Sequence, residues 1–238
     1  MGKHSKRYIS LLEKVEKDKL YKIEEAIKLV KETATAKFDE TVEVSIKLGV
    51  DPRKADQMVR GTAILPYGTG KKVKVLVFTR GDEEREAKEA GADYVGFMDL
   101  IEKIKSGWTD FDYVVATPET MPEVSKLGKI LGPRGLMPSP KTGTVTKEVG
   151  RVVSELKKGR IEFRVDKTGN LHVGIGKVSF PDEYLIENFL TLIEEVQNAR
   201  PSSFKGTYIQ KIVISATMGP GIKVDINDVF EKLRERRK

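Results

Sequence analysis

The sequence predicts an α/β and α+β protein of two domains, one inserted in the other. A discontinuous α+β domain with a half-exposed antiparallel sheet is expected from residues 1–67 and 160–238, and an inserted parallel α/β domain from residues 68–159. Three observations carry this. Strands in the outer thirds alternate between apolar and polar residues, as a sheet with one wet face requires. Strands in the middle third are apolar almost throughout and alternate with helices, as a parallel sheet covered on both sides requires. Between the two styles stands "LPYGTG" (Leu65–Gly70), whose proline and glycines suit a linker.

The spacings Ile9–Leu12–Val15 and Ile23–Ala26–Ile27–Val30 predict two helices joined near Lys19-Leu20-Tyr21. A strand follows, with Val42, Val44, Ile46 and Leu48 on one face and Thr41, Glu43, Ser45 and Lys47 on the other. In the middle third, "VKVLVF" (Val73–Phe78) is a buried strand. An acidic helix is expected at Asp82–Ala90, with Gly91 as its C-cap. The strand "DYVGF", a helix around Leu100–Lys105 and the strand Tyr113–Thr117 complete the parallel layer.

After Arg160, "IEFRV" and "LHVGI" flank Asp166–Asn170 and predict a β-hairpin. An amphipathic helix covers Asp182–Asn198 and ends before Pro201. The strand Thr207–Thr217, a glycine-rich turn and "IKVDI" follow, and the basic tail "EKLRERRK" is expected to fray. Two connections, at about Leu65–Gly70 and Lys158–Arg160, form a natural hinge.

Composition narrows the function. The 238 residues are 39% hydrophobic and 33% charged, a folded rather than disordered profile. No apolar stretch approaches the ~20 residues that span a bilayer, and the first residues lack the apolar stretch of a secretion signal. A cytoplasmic protein with no membrane partner is therefore expected. The absence of cysteine excludes disulfides and thiolate metal sites, and two histidines, His4 and His172, leave little for a histidine-based metal site. No metal and no cofactor are expected.

The net charge of +7 is unevenly spread. Lys126–Arg160 holds nine Lys or Arg against two acids, an excess equal to that of the whole chain, whereas Gly68–Ser125 holds eight basic and twelve acidic residues. This favours a polyanion reached through one face. The plainer alternative, a solvated basic surface without a partner, stays open on charge alone.

Enzyme motifs fail on spacing. Reading back from Gly70-Lys71, a Walker loop would need glycine at Leu65 and Ser or Thr at Lys72. No G-x-G-x-x-G follows the first parallel strand, which leads only into Arg80-Gly81-Asp82. Asp166-Lys167-Thr168-Gly169 matches a short aspartyl-phosphate motif but lies in ordinary turn chemistry. His172 falls on a wet strand face, with no nucleophile or carboxylate partner implied. No catalytic residue is expected, although a phosphate-handling enzyme using the Thr79–Asp82 turn remains an alternative.

Three stretches fit RNA instead, through basic, hydroxyl and main-chain donors. "AKFDETVEVS" (Ala36–Ser45) sets a cation and an aromatic before a polar strand face; on pattern, Phe38 either stacks on a ligand or fills the core. "SATMGPGIKV" holds the turn Thr217–Gly221, whose glycines permit close backbone approach. "KLGKILGPRGLMPSPKTGTV" (Lys126–Val145) packs four glycines and three prolines among cations and bulky apolar residues, with no acid.

These three runs closely resemble the ribosomal protein L-one family of the bacterial large subunit, over essentially the whole chain. The resemblance implies two domains, the first discontinuous and the second Rossmann-like (residues 68–159) but without a nucleotide. It implies binding to 23S rRNA at the mobile stalk of the large ribosomal subunit, help in releasing E-site tRNA, and repression of the protein's own operon mRNA. It also implies a monomer when free. The principal RNA contacts it implies are Lys37, Phe38, Thr41, Glu43, Thr217, Met218 and Gly219, bordered by Arg164, Asp166, Lys167 and Thr168. In the second domain it implies Lys129, Gly132, Arg134, Gly135, Met137 and Lys141. Ser139 stands where the family is expected to carry Asn between the prolines, and Val165 where Asn often precedes the turn Asp. A free-standing RNA-binding translational regulator outside the ribosome is the alternative.

Overall fold

The structure, a computed structural model, describes residues 4–236. The chain divides into two compact units, Met1–Gly70 with Ile161–Lys238, and Lys71–Arg160.

The first arm begins with helix α1 (Lys6–Leu12), capped by Ser5, whose hydroxyl accepts from the Tyr8 amide. It ends a turn before Val15. Helix α2 (Ile23–Thr33) buries Ile23, Ala26, Ile27 and Val30 completely. Strand β1 (Thr41–Leu48) buries Val42, Val44, Ile46 and Leu48 as its alternation predicts. A second strand, β2 (Arg60–Ile64), has no alternation to announce it. Its Gly61 admits the Phe163 ring, which lies 2.5 Å from where a Cβ would stand.

The inserted unit runs β3 (Val75–Phe78), α3 (Glu83–Glu89), β4 (Tyr94–Gly96), α4 (Met98–Lys105), β5 (Tyr113–Ala116), α5 (Met121–Val124), α6 (Gly128–Leu131) and α7 (Val149–Lys158). Its three strands are parallel, in the order β4-β3-β5. Successive residues of β3 face opposite layers. Val75 and Val77 pack with Ala87 of α3 and with Val149, Val152, Val153 and Leu156 of α7. Leu76 and Phe78 pack with Leu100, Ile101 and Ile104 of α4 and with Val124, Leu127 and Leu131. Gly91, at φ 89°, follows the last residues of α3 and returns its amide to Lys88 O. Helix α7 lies within the basic run, where charge hides an apolar i, i+3, i+4, i+7 spacing.

The return arm comprises β6 (Arg160–Arg164), β7 (Asn170–Lys177), α8 (Asp182–Asn198), β8 (Ile209–Ala216), β9 (Ile222–Val224) and α9 (Ile226–Arg236). Four strands form an antiparallel sheet ordered β7-β1-β8-β9, and β2 and β6 form a separate pair. The expected hairpin is therefore corrected: β6 and β7 belong to different sheets, and Asp166–Asn170 turns the corner between them. The Val165 amide donates to Val59 O at 3.0 Å, drawing β6 toward β2, while β7 pairs with β1. The frayed tail is also corrected as far as Arg236, to which α9 continues; Arg237 and Lys238 lie outside the described residues. Helix α9 buries Val229 and Leu233, accepts the Ile23 amide on Asp228, and pairs Lys232 with Glu24 and Arg236 with Glu187.

The apolar face of the larger sheet packs on α2, α8 and α9, through residues such as Ile27, Phe189, Ile193 and Val229. Its other face carries Thr41, Glu43, Ser45, Lys47, His172, Lys211 and Ser215, all partly or fully exposed. Among the described residues, no helix is long and apolar enough to cross a membrane.

Candidate nucleic-acid interface

One end of this open face is organised by a residue that sequence reasoning missed. Glu40 shares the parity of Val42, Val44 and Ile46, and its side chain turns inward to 1% exposure. Its Oε1 accepts from the Ala36 amide at 2.9 Å and its Oε2 from the Met218 amide at 2.8 Å. One buried carboxylate thus joins the loop before β1 to the turn after β8. Beside it, the Thr41 amide donates to Thr217 Oγ1 at 3.0 Å and the Thr217 amide to Thr41 O at 3.1 Å. Arg7 of α1 closes the corner, donating to Met218 O at 3.1 Å and to Thr35 Oγ1 at 2.9 Å.

With the backbone tied in this way, the side chains point outward. Phe38 is 56% exposed and Met218 48%, so Phe38 is a surface residue and not core filler. Single exposed apolar residues are common, but two set on loops that one carboxylate ties together give this corner an apolar component that a contact site can use. Gly219 closes its turn onto Ala216 O at 3.0 Å, and a Cβ there would press within 3.3 Å of the Ala216 methyl. Lys37 is exposed beside Phe38, and Glu43 lies two residues along β1 between Gly174 and Ser215. Lys177 donates to Thr41 Oγ1 at 2.9 Å. The fold therefore gathers Lys37, Phe38, Thr41, Glu43, Thr217, Met218 and Gly219 at one end of the sheet.

Arg164, Asp166, Lys167 and Thr168 lie at the opposite end, about 20 Å along β1 at roughly 3.3 Å per residue. Lys47 holds that end by donating to Thr168 O. Asp166 accepts from the amides of Thr168 and Asn170, both at 2.8 Å, and from the Thr168 hydroxyl at 2.7 Å. The Asn170 amide first, and the Thr168 hydroxyl next, bring the Asp166 carboxyl down to about 2.

Between the two ends stands His172, whose lack of partners is corrected. Its Nδ1 lies 3.0 Å from Ser45 Oγ and its Nε2 3.8 Å from Asp166 Oδ2. The trio has the residue types of a hydrolase triad but not its geometry. The carboxylate is beyond hydrogen-bond range and already engaged by its own turn, and the imidazole side chain is 60% exposed. It links the two ends into one polar stripe.

In the inserted unit, the glycine–proline run is anchored from below. Leu127 and Leu131 are buried, and Ile130, Leu136 and Met137 pack against the same cluster. Met137 is thus half-buried, whereas Lys129, Gly132, Arg134, Gly135 and Lys141 are exposed. The bend closes through Gly135 N to Gly132 O at 3.0 Å, with Gly135 at φ 70°. Ser139 braces the next turn, accepting from the Lys141 amide at 3.3 Å and donating its own amide to Thr144 Oγ1 at 2.9 Å.

Much of the local charge excess is compensated. Lys126 pairs with Glu123, Arg151 with Glu148 and Glu155, Lys157 with Asp93, and Arg160 with Glu155. Among the described residues, Lys129, Arg134 and Lys141 are in no ion pair; Arg134 donates instead to Thr109 Oγ1. Lys147 and Lys158 are likewise in no ion pair among the described residues, so three of the five uncompensated cations of this run sit on the bend itself.

Residues 30–220 match the family described as the Ribosomal protein L1p/L10e family. The chain belongs to this family. The matched span contains every residue of both patches, while Arg7 lies outside it. The protein named large ribosomal subunit protein uL1 from Persephonella marina is 56% identical over 240 residues, covering 99% of this chain and 99% of its own. The protein of the same name from Thermobifida fusca is 58% identical over 229 residues, covering 96% and 97%.

Sequence reasoning missed Glu40, Arg7 and Lys177, and it placed Ser45 and Lys47 on the wet face of β1 without their partners His172 and Thr168. Only Glu40 carried a usable signal, its parity with the apolar side of β1; the others depend on long-range pairing.

Proposed function

We propose that the chain is a constituent of the large ribosomal subunit that binds 23S rRNA directly at the mobile stalk. The observation that carries this reading is the corner held by Glu40, which fixes Thr41, Thr217 and Met218 beside an exposed Phe38. A surface ordered before binding loses little entropy on contact. Its hydroxyls and main-chain groups suit RNA sugars and phosphates, and its Phe38 ring suits a base face. The discontinuous domain then supplies most of the affinity. The inserted domain adds phosphate contacts through Lys129, Arg134 and Lys141. Family membership and the names of both relatives support the ribosomal assignment.

Two further roles belong to this reading: assisting release of E-site tRNA, and repressing translation by binding the protein's own operon mRNA through the rRNA-binding surface. The protein is cytoplasmic and is a monomer when free.

RNA footprinting on 23S rRNA, with and without the protein, tests the reading. Protection confined to one compact segment is expected, and it should be lost when Thr217 is replaced by alanine. Absence of the protein from the large-subunit peak at moderate salt, with RNA affinity retained, would favour the free-standing regulator.

A further inference from the structure

A cleft of about 740 Å³ opens beside the Asp166 turn, between the loop leading into β2 and the end of β6. Its volume lies in the roughly 300–1,000 Å³ range of small-ligand sites. Pro52, Val165 (3% exposed) and Met58 (38% exposed) are its apolar lining, and Arg53, Arg164 and Lys167 stand around it. The two walls are fixed to each other by Val165 N donating to Val59 O at 3.0 Å. The Met58 side of the cleft is ordered by its own network, in which the Asp51 amide donates to Gln57 Oε1 at 2.9 Å and the Arg53 amide to Asp51 Oδ1 at 3.1 Å.

The charge of this cleft is unbalanced. None of Arg53, Arg164 and Lys167 is in an ion pair among the described residues. The one acid in the lining, Asp166, spends its oxygens on Thr168 and Asn170. Three cations against the one carboxylate of Asp166 leave the lining with a net charge of +2, which beside its apolar surface matches a group that is anionic at one end and flat and apolar at the other. An unstacked nucleotide has that chemistry: its base packs on a soft thioether surface, and its phosphate is gripped by guanidinium and ammonium groups. The cleft also adjoins the polar stripe through Asp166, so one RNA strand can reach both.

We propose that this cleft receives one unstacked nucleotide of the bound RNA, with its base against Met58 and Val165 and its phosphate among Arg53, Arg164 and Lys167. This makes Arg53 and Met58 RNA-binding residues, and it rests on the RNA-binding reading above.

The test is filter binding of the full chain to in-vitro-transcribed bacterial 23S rRNA across a salt series. Met58→Ala should weaken binding about fivefold to thirtyfold without altering the salt slope, as loss of a base contact does. Arg53→Ala should weaken binding and reduce the magnitude of the log–log slope by roughly 0.7 to 0.9. Both side chains are partly or fully exposed, so circular dichroism and thermal midpoints should match wild type. Wild-type affinity in both variants, with Thr217→Ala still impaired, overturns the cleft proposal and leaves RNA binding standing. Failure of the wild-type protein to bind overturns both. Saturable binding of free AMP at Met58, seen by methyl NMR, with rRNA affinity unchanged in the variants, overturns it as well by making the cleft a mononucleotide site.

Discussion

Glu40 and Met218 are 178 positions apart, yet a 2.8 Å hydrogen bond from the Met218 amide to Glu40 Oε2 joins them beneath the surface. The other carboxylate oxygen holds the Ala36 amide, so one side chain sets the spacing of two loops. Glu40→Gln keeps the shape but offers one acceptor to two donors. A loss of about 1–3 kcal/mol in urea unfolding is expected, because one amide is left unsatisfied. Filter binding to rRNA should weaken in parallel.

Thr217→Ala removes the hydroxyl that receives the Thr41 amide. Thr217 is exposed, so the fold should survive with a stability change within about 1.5 kcal/mol. Affinity for rRNA should fall sharply at every salt concentration, with an unchanged salt slope, and Thr217→Ser should restore it. Wild-type affinity in the alanine variant would remove this corner from the interface.

Lys129→Ala and Lys141→Ala delete exposed cations from the glycine–proline bend. Each should lower the magnitude of the log–log salt slope by roughly 0.7 to 0.9 on intact stalk rRNA. Thermal unfolding should shift by no more than about 0.5 kcal/mol. A change in affinity at constant slope would mean that neither lysine meets a phosphate.

Asn188 is fully buried in α8 and holds the chain just before the inserted unit. It accepts from the Tyr67 amide at 3.1 Å and donates to Gly68 O at 2.9 Å and Ile175 O at 2.8 Å. Asn188→Leu leaves these groups unpaired and should cost at least about 1–3 kcal/mol in urea unfolding. Hydrogen exchange at the Tyr67 amide should accelerate, and an unchanged rate would show that the bond does not hold the segment.

Asp166 predicts one feature of acid unfolding. Its carboxyl is held at about 2 in the folded chain, below its ordinary 3.8. A depressed folded value adds stability above the unfolded value, and that stability is lost as pH falls toward the folded one. The difference between wild type and Asp166→Asn should therefore be constant at pH 5–7 and shrink between about pH 4 and pH 2. A difference that does not change over that window would show that the turn does not favour the charged form.

Much of the architecture was legible because it rests on local periodicity. The alternation of β1, the apolar run of β3 and the spacing of α2 and α8 each state which face is buried. The tail was misjudged because the charges of Glu231–Arg236 obscure Leu233, which needs α8 and β8 as partners before it reads as core. Strand β2 stayed hidden because Gly61 supplies no side-chain pattern; its identity as a strand depends on Phe163, about a hundred residues away.

The candidate site divides in the same way. The sequence by itself determined which residue types are available: an aromatic and hydroxyls before a wet strand, a glycine turn after another, and cations on a glycine–proline bend. It also determined the family. Only the tertiary structure decided that Glu40 turns inward, that Phe38 turns outward, and that His172 stands between Ser45 and Asp166. It also decided that the Asp166 turn is a corner between sheets with a basic cleft beside it. The reason is physical. Periodicity records the burial that a strand or helix needs locally, whereas strand partners and long-range hydrogen bonds are settled only when distant segments compete for the same backbone groups.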